Sequence, residues 1–308
     1  MRLIFKSMTV CVILLISTAL SATAEFDVQG HRGGRGLMPE NTIAAFTHAL
    51  ELGVDTIELD TVVTKDGVVV INHEAYLNPQ RTRKDGQFIP EKILIKDLTF
   101  EELKEFDIGR LSKPEDWPEQ TQLDGQRVSS LEEVLSLVHG HNDSHGKSVR
   151  VNIEIKHFPD RPSDTIDLRE HVQKVLEILL KKGFEELATI QSFDWEALKI
   201  SKELEPSVQT AALVSKTNLD KSIWTSGLRL RDFGFDIGRM LVSIGCSVIS
   251  PSYSLMTDGW VESAHQSGLK IVPWTVNDLQ EMKRLIDLGV DGIITDYPDR
   301  LIELLSNR

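Results

Sequence analysis

The 308-residue chain predicts an α/β fold whose mostly parallel strands close into a (β/α) barrel. Three observations predict it. Short β-like runs alternate with amphipathic helical stretches along most of the chain. Gly53, Gly183, Gly268 and Gly289 each follow a helical run, as helix C-terminal glycines do. Carboxylates, histidines, Arg and Lys gather at strand ends scattered from His31 to Asp296, and such scatter converges on one mouth only if the sheet closes.

Residues 1–24 read as a secretory signal. Arg2 and Lys6 form a positive start, Val10 to Leu20 an apolar core, and Ala22-Thr23-Ala24 a small-x-small cleavage site. A membrane anchor is the alternative, but the apolar run is short of the ~20 residues a span needs. The expectation is an exported protein, periplasmic or secreted, with residues 25–308 as its barrel domain. Cleavage takes the net charge from −13 to −15, because the segment carries Arg2 and Lys6 and no acid. It also removes Cys11 and leaves Cys246 alone in an apolar stretch, so no intrachain disulfide forms and a buried inert thiol is expected.

The strands expected next are 27–31, 56–63, 68–73, 150–156, 189–193, 210–214, 247–251, 270–276 and 292–296. Helices are expected over 42–52, 131–138, 170–182, 195–204, 260–266 and 279–288. Nine strands exceed eight. Thr64-Lys65-Asp66-Gly67 explains the excess as a hairpin turn that folds His73 back towards Asp60. Residues 78–127 break the rhythm with charge and proline and read as an insertion at a strand end, overhanging the mouth. Phe88, Ile89 and Trp117 are candidates to cover it. The acidic charge and the absence of any basic run exclude a nucleic-acid partner.

Gly30-His31-Arg32-Gly33-Gly34-Arg35-Gly36 leads into Pro39-Glu40-Asn41-Thr42, a glycine-rich loop ahead of a helix start. Such a loop lets backbone approach an anion, Arg32 can fork onto a phosphate, and His31 can carry protons. The alternative is a tight loop with a structural His. Glu58 and Asp60 share one face of an inward strand, where two carboxylates repel unless a cation lies between them. His73 ends the apolar run Val68 to Ile71 and suits a second acid/base group. Asn152, Glu154 and Lys156 share a face. Glu154 can complete a three-carboxylate metal site and Lys156 can neutralise a phosphate, or the two can simply pair. Trp274, at another strand end, is either a pocket wall or a core aromatic. Oxygen ligands without clustered Cys or His favour Mg²⁺ or Ca²⁺ over Zn²⁺.

Taken together these segments resemble the glycerophosphodiester phosphodiesterase family. The resemblance rests on Gly30-His31-Arg32-Gly33 with Pro39-Glu40-Asn41-Thr42, Glu58-Leu59-Asp60, Thr64 to Gly67, Val70 to His73, Asn152 to Lys156, Gln191-Ser192-Phe193, Trp274 to Asn277 and Asp291 to Pro298, in the family's order. One departure is Glu74, where the family usually has Asp after the His. The resemblance implies a distorted TIM (β/α)8 barrel, one divalent cation, and small glycerophosphodiesters as substrates. It implies Glu58, Asp60 and Glu154 as metal ligands, His31 and His73 as the acid/base pair, Arg32 and Lys156 as phosphate contacts, and Trp274 as a pocket wall. The expected reaction yields glycerol 3-phosphate and an alcohol. Rival readings are a phospholipase or lysophospholipase on the same fold, and a non-catalytic binding protein. The head-group preference and the oligomeric state are not legible in the sequence.

Overall fold

The computed structural model describes residues 26–308, so the signal-like segment 1–24 and Cys11 lie outside the described residues. Nine strands form the main sheet: β1 (Asp27–Gly30), β2 (Thr56–Val63), β3 (Val69–Ile71), β4 (Arg150–Ile155), β5 (Ala188–Ser192), β6 (Gln209–Val214), β7 (Val248–Pro251), β8 (Lys270–Ile271) and β9 (Gly292–Thr295). Their order is β8-β7-β6-β5-β4-β2-β1-β9, every step parallel. Between β8 and β9 the ring closes through Asp291 N–H to Ile271 O (2.9 Å), Ile294 N–H to Pro273 O (3.0 Å) and Val276 N–H to Ile294 O (3.0 Å). The expected strand over 270–276 is thus only two residues of regular ladder, because Pro273 has no N–H to give.

The excess strand is β3. It returns antiparallel along β2, pairing Thr61 with Ile71 and Val63 with Val69. The Asn72 amide then donates to Asp60 O at 3.0 Å, which carries His73 back alongside Asp60.

Every residue of β2 is buried, on both faces. Period-two alternation sends Ile57 and Leu59 outward into the main core with Phe46, Leu131, Val151 and Trp195, and leaves Glu58 and Asp60 on the opposite face. Helices Ile43–Leu52, Leu131–His145, Leu168–Lys182, Trp195–Leu204, Asp258–Gln266 and Leu279–Leu288 occupy the expected places, although the second runs on to His145. Helices Ile237–Val242 and Pro298–Ser306 were not expected. The first is short, and the second starts just past the strand expected over 292–296, with Pro298 in its first turn. Among the described residues no helix is long and apolar enough to cross a membrane.

The inserted region builds two small hairpins, Tyr76–Leu77 with Ile93–Leu94 and Arg83–Lys84 with Gln87–Phe88. Leu77, Ile89, Ile95, Leu103 and Phe106 form a small core of their own with Val62 and Val70 of the β2–β3 hairpin. Ile89 belongs to that core and does not cover the mouth, and Phe88 stands exposed. Trp117 alone of the three reaches towards the mouth, where the Arg35 guanidinium lies 4.6 Å from its ring centre. Cys246 is buried, and burial pushes its thiol up to about 12, as an inert side chain requires.

Candidate active site

The site starts from strand register. β2 and β4 pair so that Asp60 lies opposite Glu154 and Glu58 opposite Asn152. β5 then sets Gln191 opposite Glu154. Inward alternation on three neighbouring strands therefore stacks Glu58, Asp60 and Glu154 side by side. All three are buried, and one oxygen of each lies within 4.8 Å of the others.

The glycine-rich loop wraps the same point. Gly33 has φ +80°, and a Cβ there would fall 2.8 Å from Ala45, so only glycine lets the loop lie on helix Ile43–Leu52. At Gly36 an added Cβ would meet the Tyr297 ring at 2.4 Å. Arg32 itself takes the left-handed conformation (φ 52°), uncommon for a long side chain. That turn aims its amide N–H at Glu58 Oε2 (2.9 Å) while Nη1 donates to Glu40 Oε1 (2.9 Å). Nε lies 3.2 Å from Asp60 Oδ2 without hydrogen-bond alignment. Asn41, also left-handed, donates from Nδ2 to Asp60 Oδ2 at 2.9 Å. Thr42 caps the helix by accepting from Ala45 N at 3.1 Å.

Lys156 donates to Glu154 Oε1 at 2.7 Å and lies 3.6 Å from Asp60 Oδ1. The simple Glu–Lys pair is therefore present, but it is shared with a second carboxylate. Gln191 donates to Glu58 Oε1 at 2.6 Å. Asp60 Oδ1 is buried and has no hydrogen-bond partner among the described residues. Three clustered carboxylates with an orphaned oxygen fit a hard divalent cation.

The electrostatics agree with that fit. Burial, with Asp60 and Glu154 alongside, pushes Glu58 well above the usual carboxylate range. Burial raises Glu154 to about 7, Asp60 adding to it and Lys156 opposing. Burial works on Asp60 too, but His73, Arg32, Lys156 and the Asn41 amide outweigh it and hold Asp60 well below its ordinary value. Metal-free, the cluster is frustrated: it contains more negative charge than its donors absorb.

His31 and His73 line one cavity of about 150 Å³ with Arg32, Glu58, Glu154 and Trp274. Phe193, Leu213 and Ile294 form its apolar side with Trp274, whose ring meets Phe193 edge-on at 5.3 Å. Trp274 Nε1 donates to Ser250 O, which fixes the indole. Lys156 and Asp60 sit just behind the lining. Burial, with Arg32 and Arg35 nearby, lowers the pKa of His31 against the pull of Asp296. Burial, then Lys156 and Arg32, brings His73 down to about 4. A larger groove of about 1110 Å³ lies elsewhere, past Thr47, Leu50 and His141. It holds no group of three metal-ligating side chains among the described residues.

Several site residues had no assigned role in the sequence reading. Asp296 accepts from His31 Nδ1 and is itself held by Asn277 Nδ2 at 2.7 Å. Since Asp296 is kept ionised by His31, Arg35 and Asn277 despite its burial, the imidazole proton sits on Nδ1 and the Nε2 lone pair remains. Glu40, Asn41, Gln191 and Asp296 stood in quoted motifs, so a polar side chain at a strand or loop end was the available signal. Arg35 likewise stood in the quoted glycine-rich loop, whereas Arg81, inside the insertion, carried no comparable signal.

Comparison with known proteins places this arrangement. The family model described as the glycerophosphoryl diester phosphodiesterase family matches residues 31–300. A glycerophosphodiester phosphodiesterase of Caldanaerobacter subterraneus subsp. tengcongensis is 33% identical over 278 residues, covering 90% of this chain and 97% of that one. A crystal structure from Silicibacter pomeroyi, assigned to the glycerophosphoryl diester phosphodiesterases, superposes with a TM-score of 0.83 at 30% identity, covering 92% of this chain and 94% of the other. An Oleispira antarctica phosphodiesterase, solved with the product sn-glycerol-3-phosphate, shares the fold at a TM-score of 0.70 and 23% identity, over 91% of this chain and 96% of that one. With a family model spanning residues 31–300 and a relative 33% identical over 90% of its length, the chain belongs to the glycerophosphoryl diester phosphodiesterase family.

Proposed function

We propose that this protein hydrolyses small glycerophosphodiesters to glycerol 3-phosphate and an alcohol. The single observation that carries the reading is the meeting of three buried carboxylates, two imidazoles and the cations Arg32 and Lys156 at one barrel mouth. A phosphodiester is an anion that resists attack by anions, so its site needs positive charge and proton carriers together.

Glu58, Asp60 and Glu154 would hold a Mg²⁺ or Ca²⁺ ion, which when bound polarises phosphoryl oxygens and offsets developing charge. Arg32 and Lys156 add fixed positive charge on the same side. One histidine takes a proton from the glycerol's vicinal hydroxyl as it attacks phosphorus and the other gives one to the departing alcohol, and water then opens the cyclic phosphate to glycerol 3-phosphate. Asp296 keeps His31 in the tautomer whose Nε2 can exchange a proton with substrate. Phe193, Leu213 and Trp274 offer the substrate carbons an apolar wall. Export is proposed on the pattern of residues 1–24, and amino-terminal sequencing of the exported form should begin at Glu25.

The test is glycerol 3-phosphate release from glycerophosphocholine and glycerophosphoethanolamine by chelator-treated protein, with Mg²⁺, Ca²⁺ and Zn²⁺ added back singly. Turnover restored by Mg²⁺ or Ca²⁺ is expected. Faster turnover of lysophosphatidylcholine than of either diester would move the substrate class to lysolipids, and no turnover of any would end the reading.

A further inference from the structure

One side chain of the insertion enters the site's electrostatic network without lining its cavity. Arg81 stands in a turn, its amide bonded to Asn78 O at 3.0 Å. Its neighbours are tied down by Ser112 N–H to Gln80 O (2.7 Å) and by Arg83 pairing through backbone with Asp107. The backbone of the turn is thus anchored within the insertion.

From there the Arg81 guanidinium forks. Nη2 donates to both oxygens of Glu74, and Nη1 meets Glu40 Oε1 at 2.9 Å. Each partner stands directly behind a residue of the proposed chemistry. Glu74 Oε1 lies 3.5 Å from His73 Nδ1, a buried nitrogen that makes no hydrogen bond among the described residues. Glu40 Oε1 accepts from Arg32 Nη1 at 2.9 Å. One guanidinium therefore joins two carboxylates that back the imidazole and the phosphate-facing Arg32. Without it, Glu74 has only the Asn78 amide, at 3.2 Å, to hold its carboxylate in place.

We propose that Arg81 is a positioning residue through which the insertion sets the orientation of His73, by way of Glu74, and of Arg32, by way of Glu40. Misplacement of a reacting group by about 1 Å costs on the order of 10²-fold in rate, and a planar two-ended clamp suits such a task better than a point charge. The inference rests on the reading of His73 as an acid/base group.

The experiment is steady-state kinetics with glycerophosphocholine at saturating Mg²⁺ on His73→Ala, Arg81→Met, Arg81→Ala, Glu74→Gln and the Glu74→Gln/Arg81→Met double variant, with melting temperatures alongside. Arg81→Met should lower kcat by ~10- to 100-fold while KM stays within about 3-fold. The double variant should lose far less than the product of the single losses, because both break one unit. Millimolar guanidinium chloride should return part of the kcat of Arg81→Ala and leave wild type unchanged. Three results overturn the inference while His73→Ala remains inactive: unchanged kcat in Arg81→Met, a rise in KM alone, or fully multiplicative losses in the double variant. If Arg81→Met does not fold, Glu74→Gln carries the same test, since unchanged kcat there also overturns it. Near-normal turnover in His73→Ala overturns the acid/base reading itself and this inference with it.

Discussion

The two ends of the barrel interior handle buried charge in opposite ways. At the floor, where the strands begin, Asp27 accepts from Thr56 Oγ1 (2.7 Å), Arg150 Nη2 (2.9 Å) and Gln29 Nε2 (2.8 Å). Asp291 Oδ2 likewise accepts from the Ile271 amide at 2.7 Å and lies 2.9 Å from His265 Nε2. Both acids are complete and partly open to solvent. At the mouth, by contrast, Glu58, Asp60 and Glu154 are buried together, and Asp60 Oδ1 and His73 Nδ1 have no hydrogen-bond partner among the described residues. A finished set of pairings stabilises a fold; an unfinished one, kept buried, calls for a ligand.

Five substitutions test that contrast. The largest effect should come from His31→Ala, with kcat falling ~10²-fold or more in glycerol 3-phosphate release, and His73→Ala should match it. Near-normal turnover in either would take that residue out of the scheme. Next, Glu58→Gln should raise the Mg²⁺ or Ca²⁺ concentration for half-maximal activity by ~10-fold or more. An unchanged metal titration would remove Glu58 as a ligand.

Glu154 gives a stability test in metal-free protein. Its folded pKa is raised to about 7, so it binds more protons folded than unfolded. The stability it contributes is present below the unfolded value of roughly 4.3 and is lost as pH rises through about 7. Wild type should therefore lose melting temperature relative to Glu154→Gln between pH 5 and pH 7, by ~2 kcal/mol in free energy. Measuring the pair side by side cancels the opposite trend of His73, whose lowered pKa costs stability as pH falls. Added cation should abolish the difference, and parallel curves without cation would contradict the frustrated-cluster picture.

The smallest effect belongs to the floor. Arg150→Gln should leave kcat unchanged and alter stability by no more than ~1 kcal/mol, as a partly exposed ion pair does. A loss of turnover there would show that both ends of the barrel serve the reaction.

The alternating elements, the extra hairpin arm and the list of chemical groups were legible in the residues alone. Period-two alternation in Thr56–Val63, the Thr64–Gly67 turn and the Gly-rich run after Gly30 are local signals, and local signals survive without a fold. Helix Pro298–Ser306, the two-residue ladder of β8 and the inward turn of Ile89 were not legible, because each depends on which neighbour a segment meets. That Asp60 faces Glu154 across β2 and β4, that Asp296 holds His31 from the far end of the chain, and that Arg81 reaches Glu40 and Glu74 came from the folded arrangement. Closing the barrel sets those partners by strand register and loop path, and neither quantity is carried by any one stretch of residues.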